Sequence, residues 1–268
     1  MPFAECQGAR LYYEIHGAGE DLLLIPGFGS TIPVYWANIP PLSKHFRVIA
    51  FDPRGAGRSD VPADGYTMRV FADDAASVLD AAGARRAHVF GTSFGGMVAQ
   101  HLALEHPERV RGLVLGCTTA GGDRHVLPPA DNIVRFLAAA EIADAAEAVR
   151  STYFMHYSDA YTAAHDAEIV ERSLANAALR SSAVGRLGQL VAVQGHDTHD
   201  RLAEIKSPTL VAHGGDDGMV PVENGRMLAA AIPGARLIIY PEARHIFFAE
   251  CAAALNSEIV SFLQRGSH

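Results

Sequence analysis

Gly91-Thr92-Ser93-Phe94-Gly95 follows a short apolar run, Ala87-His88-Val89-Phe90, and precedes a helical pattern over Gly95–Glu105 that stops at His106-Pro107. The string G-x-S-x-G is common by chance, but strand before and helix after give it a physical reading. A serine at such a turn sits on a sharp, strained bend with its hydroxyl lifted above the sheet edge. Glycines two before and two after leave room for the turn and for close packing of helix on strand. The helix starting there aims its positive end at the same spot, where it favours negative charge. Ser93 is therefore a candidate nucleophile.

On either side of this stretch, the chain alternates. Phe3–Cys6 and Arg10–His16, parted by Gly8, read as a hairpin. Leu22–Ile25 and Arg47–Phe51 read as strands buried on both faces. Met68–Ala82 reads as a helix closed by Gly83, and Val110–Leu115 as a strand. After an interruption, Thr209–His213, a helix over Val222–Ala231, the strand Arg236–Tyr240 and a closing helix over Ile246–Leu263 restore the rhythm. This is an α/β pattern: a mostly parallel sheet flanked by helices. The interruption, residues 123–201, has no buried-strand run and is rich in alanine. Breaks near Pro128-Pro129, Ser158-Asp159, Ser181-Ser182 and Gly195 divide it into an expected four helices, a lid inserted into a core of residues 1–122 and 202–264.

Ligands of open parallel sheets sit at the carboxyl ends of strands. A serine hydroxyl needs a base, and the base an orienting acid. Both are expected in loops after the later strands. Thr209–His213 leads into Gly214-Gly215-Asp216-Asp217-Gly218-Met219-Val220-Pro221, and Asp217 is the chosen acid, with Asp216 expected to hold the turn through backbone hydrogen bonds. Arg236–Tyr240 leads into Pro241-Glu242-Ala243-Arg244-His245, so His245, of 13 histidines, is at the same sheet edge. An oxyanion hole needs donors aimed at charge that appears only in the transition state. The backbone N–H groups of Phe94, next to the nucleophile, and of Phe28, in the glycine-rich loop Pro26-Gly27-Phe28-Gly29-Ser30, are the candidates.

These residues, together with Asp52-Pro53-Arg54-Gly55-Ala56-Gly57-Arg58-Ser59-Asp60, make the chain resemble the α/β-hydrolase-fold serine hydrolases over nearly its whole length. The order Ser93, Asp217, His245 is the one that family uses. Within it the chain looks most like small carboxylesterases and enol-lactonases of the 3-oxoadipate type, a likeness of scaffold rather than substrate. The resemblance implies an acyl-enzyme on Ser93, an ester or lactone substrate and no cofactor. The family usually has His-Gly at the oxyanion loop; Pro26-Gly27 here keeps the backbone donor. Epoxide hydrolases and haloalkane dehalogenases share the scaffold but carry Asp at the elbow, so Ser93 excludes their alkyl-ester chemistry. Carbon–carbon bond hydrolysis, cofactor-free perhydrolysis and slow-turnover ligand reception are rival uses of the same fold.

Other features are read more plainly. Asp52–Asp60 is a structural turn, with Arg54 and Arg58 free to meet a carboxylated substrate. His196-Asp197-Thr198-His199-Asp200 lacks supporting metal ligands and reads as a solvated hinge of the lid, so no metal is expected. Trp36, Phe136, Tyr153, Phe154 and Tyr157 are candidate pocket walls. Lys plus Arg number 22 against 30 Asp plus Glu, a net charge of -8 with no basic run, which disfavours a nucleic-acid partner. No run approaches a membrane span, and Met1–Tyr13 shows no secretion signal. Three widely spaced cysteines suit a reducing cytoplasm. The lid helices are where a homodimer would form, and the tail Arg265-Gly266-Ser267-His268 resembles the start of a purification tag.

Overall fold

A computed structural model describes residues 2–177, 179 and 181–265; most of the tail read as a tag, residues 266–268, lies outside the described residues. Among the described residues eight strands form one sheet in the order β1-β2-β4-β3-β5-β6-β7-β8. They are β1 (Phe3–Cys6), β2 (Ala9–His16), β3 (Glu20–Ile25), β4 (Phe46–Phe51), β5 (Ala87–Thr92), β6 (Val110–Gly116), β7 (Thr209–Gly214) and β8 (Arg236–Tyr240). β2 is antiparallel to both β1 and β4, and the remaining neighbours pair in parallel. The expected hairpin turns at Gln7 and Gly8, both with positive φ (45° and 79°), the twist that suits a two-residue connection.

Eleven α-helices accompany the strands among the described residues: α1 (Ile39–Leu42), α2 (Met68–Ala81), α3 (Phe94–Glu105), α4 (Ala130–Ala138), α5 (Ala145–Ser151), α6 (Tyr153–His156), α7 (Asp159–Ala177), α8 (Ala183–Gln194), α9 (Val222–Ala231), α10 (Phe247–Glu250) and α11 (Ala252–Arg265). Period-two alternation divides the strand side chains between two cores. Leu23 and Ile25 of β3, Val89 of β5 and Leu113 of β6 join α2, α3 and α9 on one face. Leu22, Leu24, Phe90 and Val114 join α1, α10 and α11 on the other. Strands covered on both faces read as continuous apolar runs, which is why β3 to β7 stand out in the sequence.

Two expectations change in detail. Among the described residues the insertion between β6 and β7 contains five α-helices, α4 to α8, rather than four, because the stretch between the breaks at Pro128-Pro129 and Ser158-Asp159 divides into three, α4, α5 and α6. The closing helix is two, α10 and α11, parted at Cys251. No described helix is long and apolar enough to cross a membrane.

Candidate active site

The elbow is where the strand–helix turn put it. Ser93 lies between β5 and α3 with φ 53° and ψ −121°, a conformation few non-glycine residues adopt. It persists because its backbone is held on both sides. Its N–H donates to Gly116 O (2.8 Å), and its carbonyl accepts from the Thr118 hydroxyl (2.7 Å) and from Gly96 N (2.9 Å). The flanking glycines are needed for contact: a Cβ on Gly95 would overlap the Ile25 carbonyl of β3, and one on Gly91 the Gly95 carbonyl.

β3 and β5 are neighbours, so the loop after β3 arrives beside the serine. A Cβ at Gly27 would lie 3.4 Å from Ser93 Cβ. The buried Tyr35 hydroxyl ties the two strand ends, donating to Ile25 O (2.7 Å) and meeting Thr92 Oγ1 at 3.0 Å. Ser30 N donates to Gly27 O, closing a turn with Phe28 and Gly29 at its centre, and Gly29 takes φ +63°. Among the described residues the N–H groups of Phe28 and Phe94 have no hydrogen-bond partner. Both flank Ser93, one on the loop and one at the positive end of α3.

Asp217, after β7, is the hub of the acid side. Its Oδ1 accepts from Met219 N (2.9 Å) and Val220 N (2.8 Å), and its Oδ2 lies 2.8 Å from His245 Nδ1. Asp216 holds the turn through its backbone, its N–H donating to Ala243 O (3.1 Å), and the Asp217 carboxylate adds to this by reaching the N–H groups two and three residues on. His213, at the end of β7, adds a donor: Nε2 is 2.8 Å from Val220 O, which can only accept, so it carries the proton and also faces Asp217 Oδ2 at 3.4 Å. Burial alone would raise the Asp217 pKa. The charge of His245 and the hydrogen bonds of His213 and His245 outweigh it and hold the carboxyl well below the usual range.

The structure therefore brings His245 and Asp217 together. Ser93 and His245 make no hydrogen bond to each other here. Cys117 is fully buried, and its thiol feels the Asp217 charge. Burial and that charge push the thiol well up, so it stays protonated and inert. With His245 Nδ1 bound to a carboxylate, Nδ1 carries the proton and the lone pair is left on Nε2, the nitrogen a base would use.

The family model of the alpha/beta hydrolase fold matches residues 22–251. The chain belongs to that family. This hydrolase is 34% identical over 263 residues to a putative carbamate hydrolase from Azorhizobium caulinodans, with 98% of each chain covered. Among solved structures, a hydrolase from Pseudomonas aeruginosa PA01 is 35% identical, with 97% of each chain covered and a TM-score of 0.81. The enol-lactonase from Burkholderia xenovorans LB400 is 26% identical with a TM-score of 0.84, covering 98% of this chain and all (100%) of that one.

The remaining candidates divide. Trp36 and Tyr157 line a cleft of about 160 Å³ with Tyr161, Arg172 and Asn176. The Arg172 guanidinium lies 3.7 Å from the Trp36 ring centroid. Gly29 and Ile246, neighbours of Phe28 and His245, form the cleft's border with the site. Phe136, Tyr153 and Phe154 are not on its lining. Phe136 sits edge-on to His156, whose ring is 6.5 Å from that of His245; Arg135 covers Phe154; the Tyr153 hydroxyl donates to Asp166.

Two readings are corrected. Arg54 is not available to a substrate: it is buried and donates twice to buried Asp74 (2.6 Å each), while Arg58 pairs with Asp52 and Glu14. Both arginines fasten the loop after β4, as the structural reading of that turn required. The His196–Asp200 stretch is not a solvated hinge at its start. His196 and Thr198 are buried, because the two chain crossings into the lid pair with each other at Gly121 and Asp197 and press His196 onto Thr119 O. Among the described residues no group of three or more His, Cys, Asp or Glu side chains is arranged to hold a metal.

Sequence reading missed Gln189 and His213. His213 left one cue, a polar residue ending a strand otherwise made for burial. Gln189 left none, since its partner Gly29 is 160 positions away.

Proposed function

We propose that the protein is a serine hydrolase that cleaves a carboxylic ester or lactone through an acyl-enzyme on Ser93. The observation that carries this reading is Ser93 on a positive-φ elbow at the N-terminus of α3, with the His245–Asp217 pair closed at 2.8 Å on nearby strand ends. In this mechanism His245 Nε2 takes the Ser93 proton as Oγ attacks the carbonyl carbon. The Phe28 and Phe94 N–H groups bind the oxyanion, each worth about 3 kcal/mol in the transition state. His245 then gives its proton to the leaving oxygen. A water deprotonated by His245 attacks the acyl-enzyme, and the proton returns to Ser93 as the acid departs. Asp217, ionised by its surroundings, fixes the imidazole tautomer and stabilises the imidazolium. The aromatic cleft beside the oxyanion loop supports a small to medium acyl or aryl substituent.

The relatives' names favour one variant, in which the acyl group is a carbamoyl. A carbamate carbonyl is trigonal like an ester's and would use the same elbow and donors.

Fluorophosphonate labelling with peptide mapping tests the nucleophile, followed by turnover of p-nitrophenyl acetate, p-nitrophenyl butyrate, lactones and an aryl carbamate. We expect the label on Ser93 and a loss of turnover of roughly 10⁴-fold or more in Ser93→Ala. Labelling at another residue refutes the assignment. Faster turnover of the carbamate than of any ester selects the variant.

A further inference from the structure

We propose that Gln189, on lid helix α8, is a positioning residue for the oxyanion loop, so that the lid completes the site as well as covering it. The inference rests on the acyl-transfer reading above. Gln189 is fully buried. Its Oε1 accepts from Gly29 N at 2.8 Å, and its Nε2 faces Arg54 O at 3.4 Å. Gly29 N can only donate and Arg54 O can only accept, so the side-chain amide is held in one orientation. The lid also reaches the other polar group of Gly29, whose carbonyl accepts from Ser181 N at 3.5 Å.

The consequence lies one residue back. In the turn from Gly27 to Ser30, the Ser30 N–H is used by Gly27 O and the Gly29 N–H by Gln189. The Phe28 N–H is left without a described partner, next to the serine. Gly29 is in the left-handed region, where glycine moves at little cost. Something outside the turn must hold its peptide, and Gln189 is the strongest such contact. Without that acceptor a buried N–H is left unsatisfied, and the loop relaxes to find another. Loss of a fraction of an ångström in donor placement lowers transition-state stabilisation while leaving substrate binding nearly untouched.

The test measures kcat and KM for p-nitrophenyl acetate in Gln189→Met and Gln189→Glu, with Ser93→Ala alongside and a thermal melt of each. Methionine keeps the length but offers Gly29 no comparable acceptor; glutamate keeps an acceptor oxygen for Gly29 and loses the donor to Arg54. We expect kcat to fall about 10–100-fold in Gln189→Met with KM within about twofold, and to stay within about fivefold in Gln189→Glu. A role in packing alone would lower both melting points with no separation in kcat. Folded Gln189→Met with kcat within about twofold of the unsubstituted enzyme overturns the inference, as does Gln189→Glu falling as far as Gln189→Met. If Gln189→Met does not fold, Gln189→Glu decides alone: a loss beyond about tenfold refutes it. Ser93→Ala separates the two layers. If it stays active, the acyl-transfer reading fails; if it is inactive while Gln189→Met is fully active, only the role of Gln189 fails.

Discussion

Ser93 stores backbone strain at the strand–helix turn, and four hydrogen bonds to its own peptide groups, from or to Gly116, Gly96, Met97 and Thr118, keep it there. Asp217 works differently: one carboxylate anchors its loop through Met219 and Val220 and orients His245. That division makes a clean substitution available. Asp217→Asn keeps a side-chain oxygen for the two loop N–H groups but offers His245 Nδ1 a neutral amide in place of an anion. We expect a loss of roughly 10³–10⁴-fold in kcat, from the wrong tautomer and an unstabilised imidazolium, with a melting point within a few degrees of the parent. Ester turnover and a thermal melt on the same preparation check both parts. Ser93, Asp217 and His245 stand out in the sequence as candidates because their chemistry is rare at strand ends. Gln189 does not, because a buried glutamine carries no local signal of what it supports, and His213 leaves only its polarity near the end of a buried strand.

At the scale of elements, α3 can start at the serine only because Gly95 lies against the end of β3. A Cβ there would overlap the Ile25 carbonyl. Backbone cannot yield as a side-chain tip can, so Gly95→Ala must displace either α3 or the strand that carries the oxyanion loop. We expect destabilisation of about 2–4 kcal/mol, read as a lower urea midpoint, and loss of turnover even at temperatures where the variant stays folded. The loop after β4 is a second fastening: the Arg54 and Asp74 side chains, 2% and 0% exposed, bind it to α2. Strands and long helices could be read from the chain because burial on two faces, or on one stripe, writes itself into periodicity. The lid's extra break at Thr152 and the split at Cys251 could not. The short helix after the first of these rests on a distant loop: the α6 carbonyls of Met155 and His156 accept from the N–H groups of His245 and Ile246.

At the scale of the molecule, the helical insertion contacts all three loops of the candidate site. α4 holds the acid loop through Asn132 and Gly218 O, α6 holds the histidine loop, and α8 holds the oxyanion loop. Its base is equally buried. His196 Nε2 donates to Thr119 O, so its Nδ1 is left to accept from His101 Nε2. Burial pushes the His196 pKa from 6.5 down to about 4 and lowers that of His101. A depressed histidine pKa means that the unfolded chain binds a proton the folded chain refuses. Stability contributed by neutral His196 is thus whole above about pH 6.5 and is lost as pH falls toward about 4. We expect unfolding free energy to drop between these values by up to about 1.4 kcal/mol per pH unit from this residue, and the slope to lessen in His196→Gln. Urea titrations at a series of pH values measure both; equal slopes in the two proteins would discount His196.

What the chain alone determined was the α/β alternation and the helical insertion between its strands, and it singled out Ser93, Asp217 and His245 as candidates, because strand burial, a strained turn and strand-end chemistry are each encoded within a few neighbouring residues. What only the tertiary structure decided was how those loops are held: Gln189 on Gly29, His213 beside Asp217, His196 beneath the lid, Arg54 turned inward. Each of these depends on which distant backbone groups close packing leaves needing a partner, and no local pattern records that.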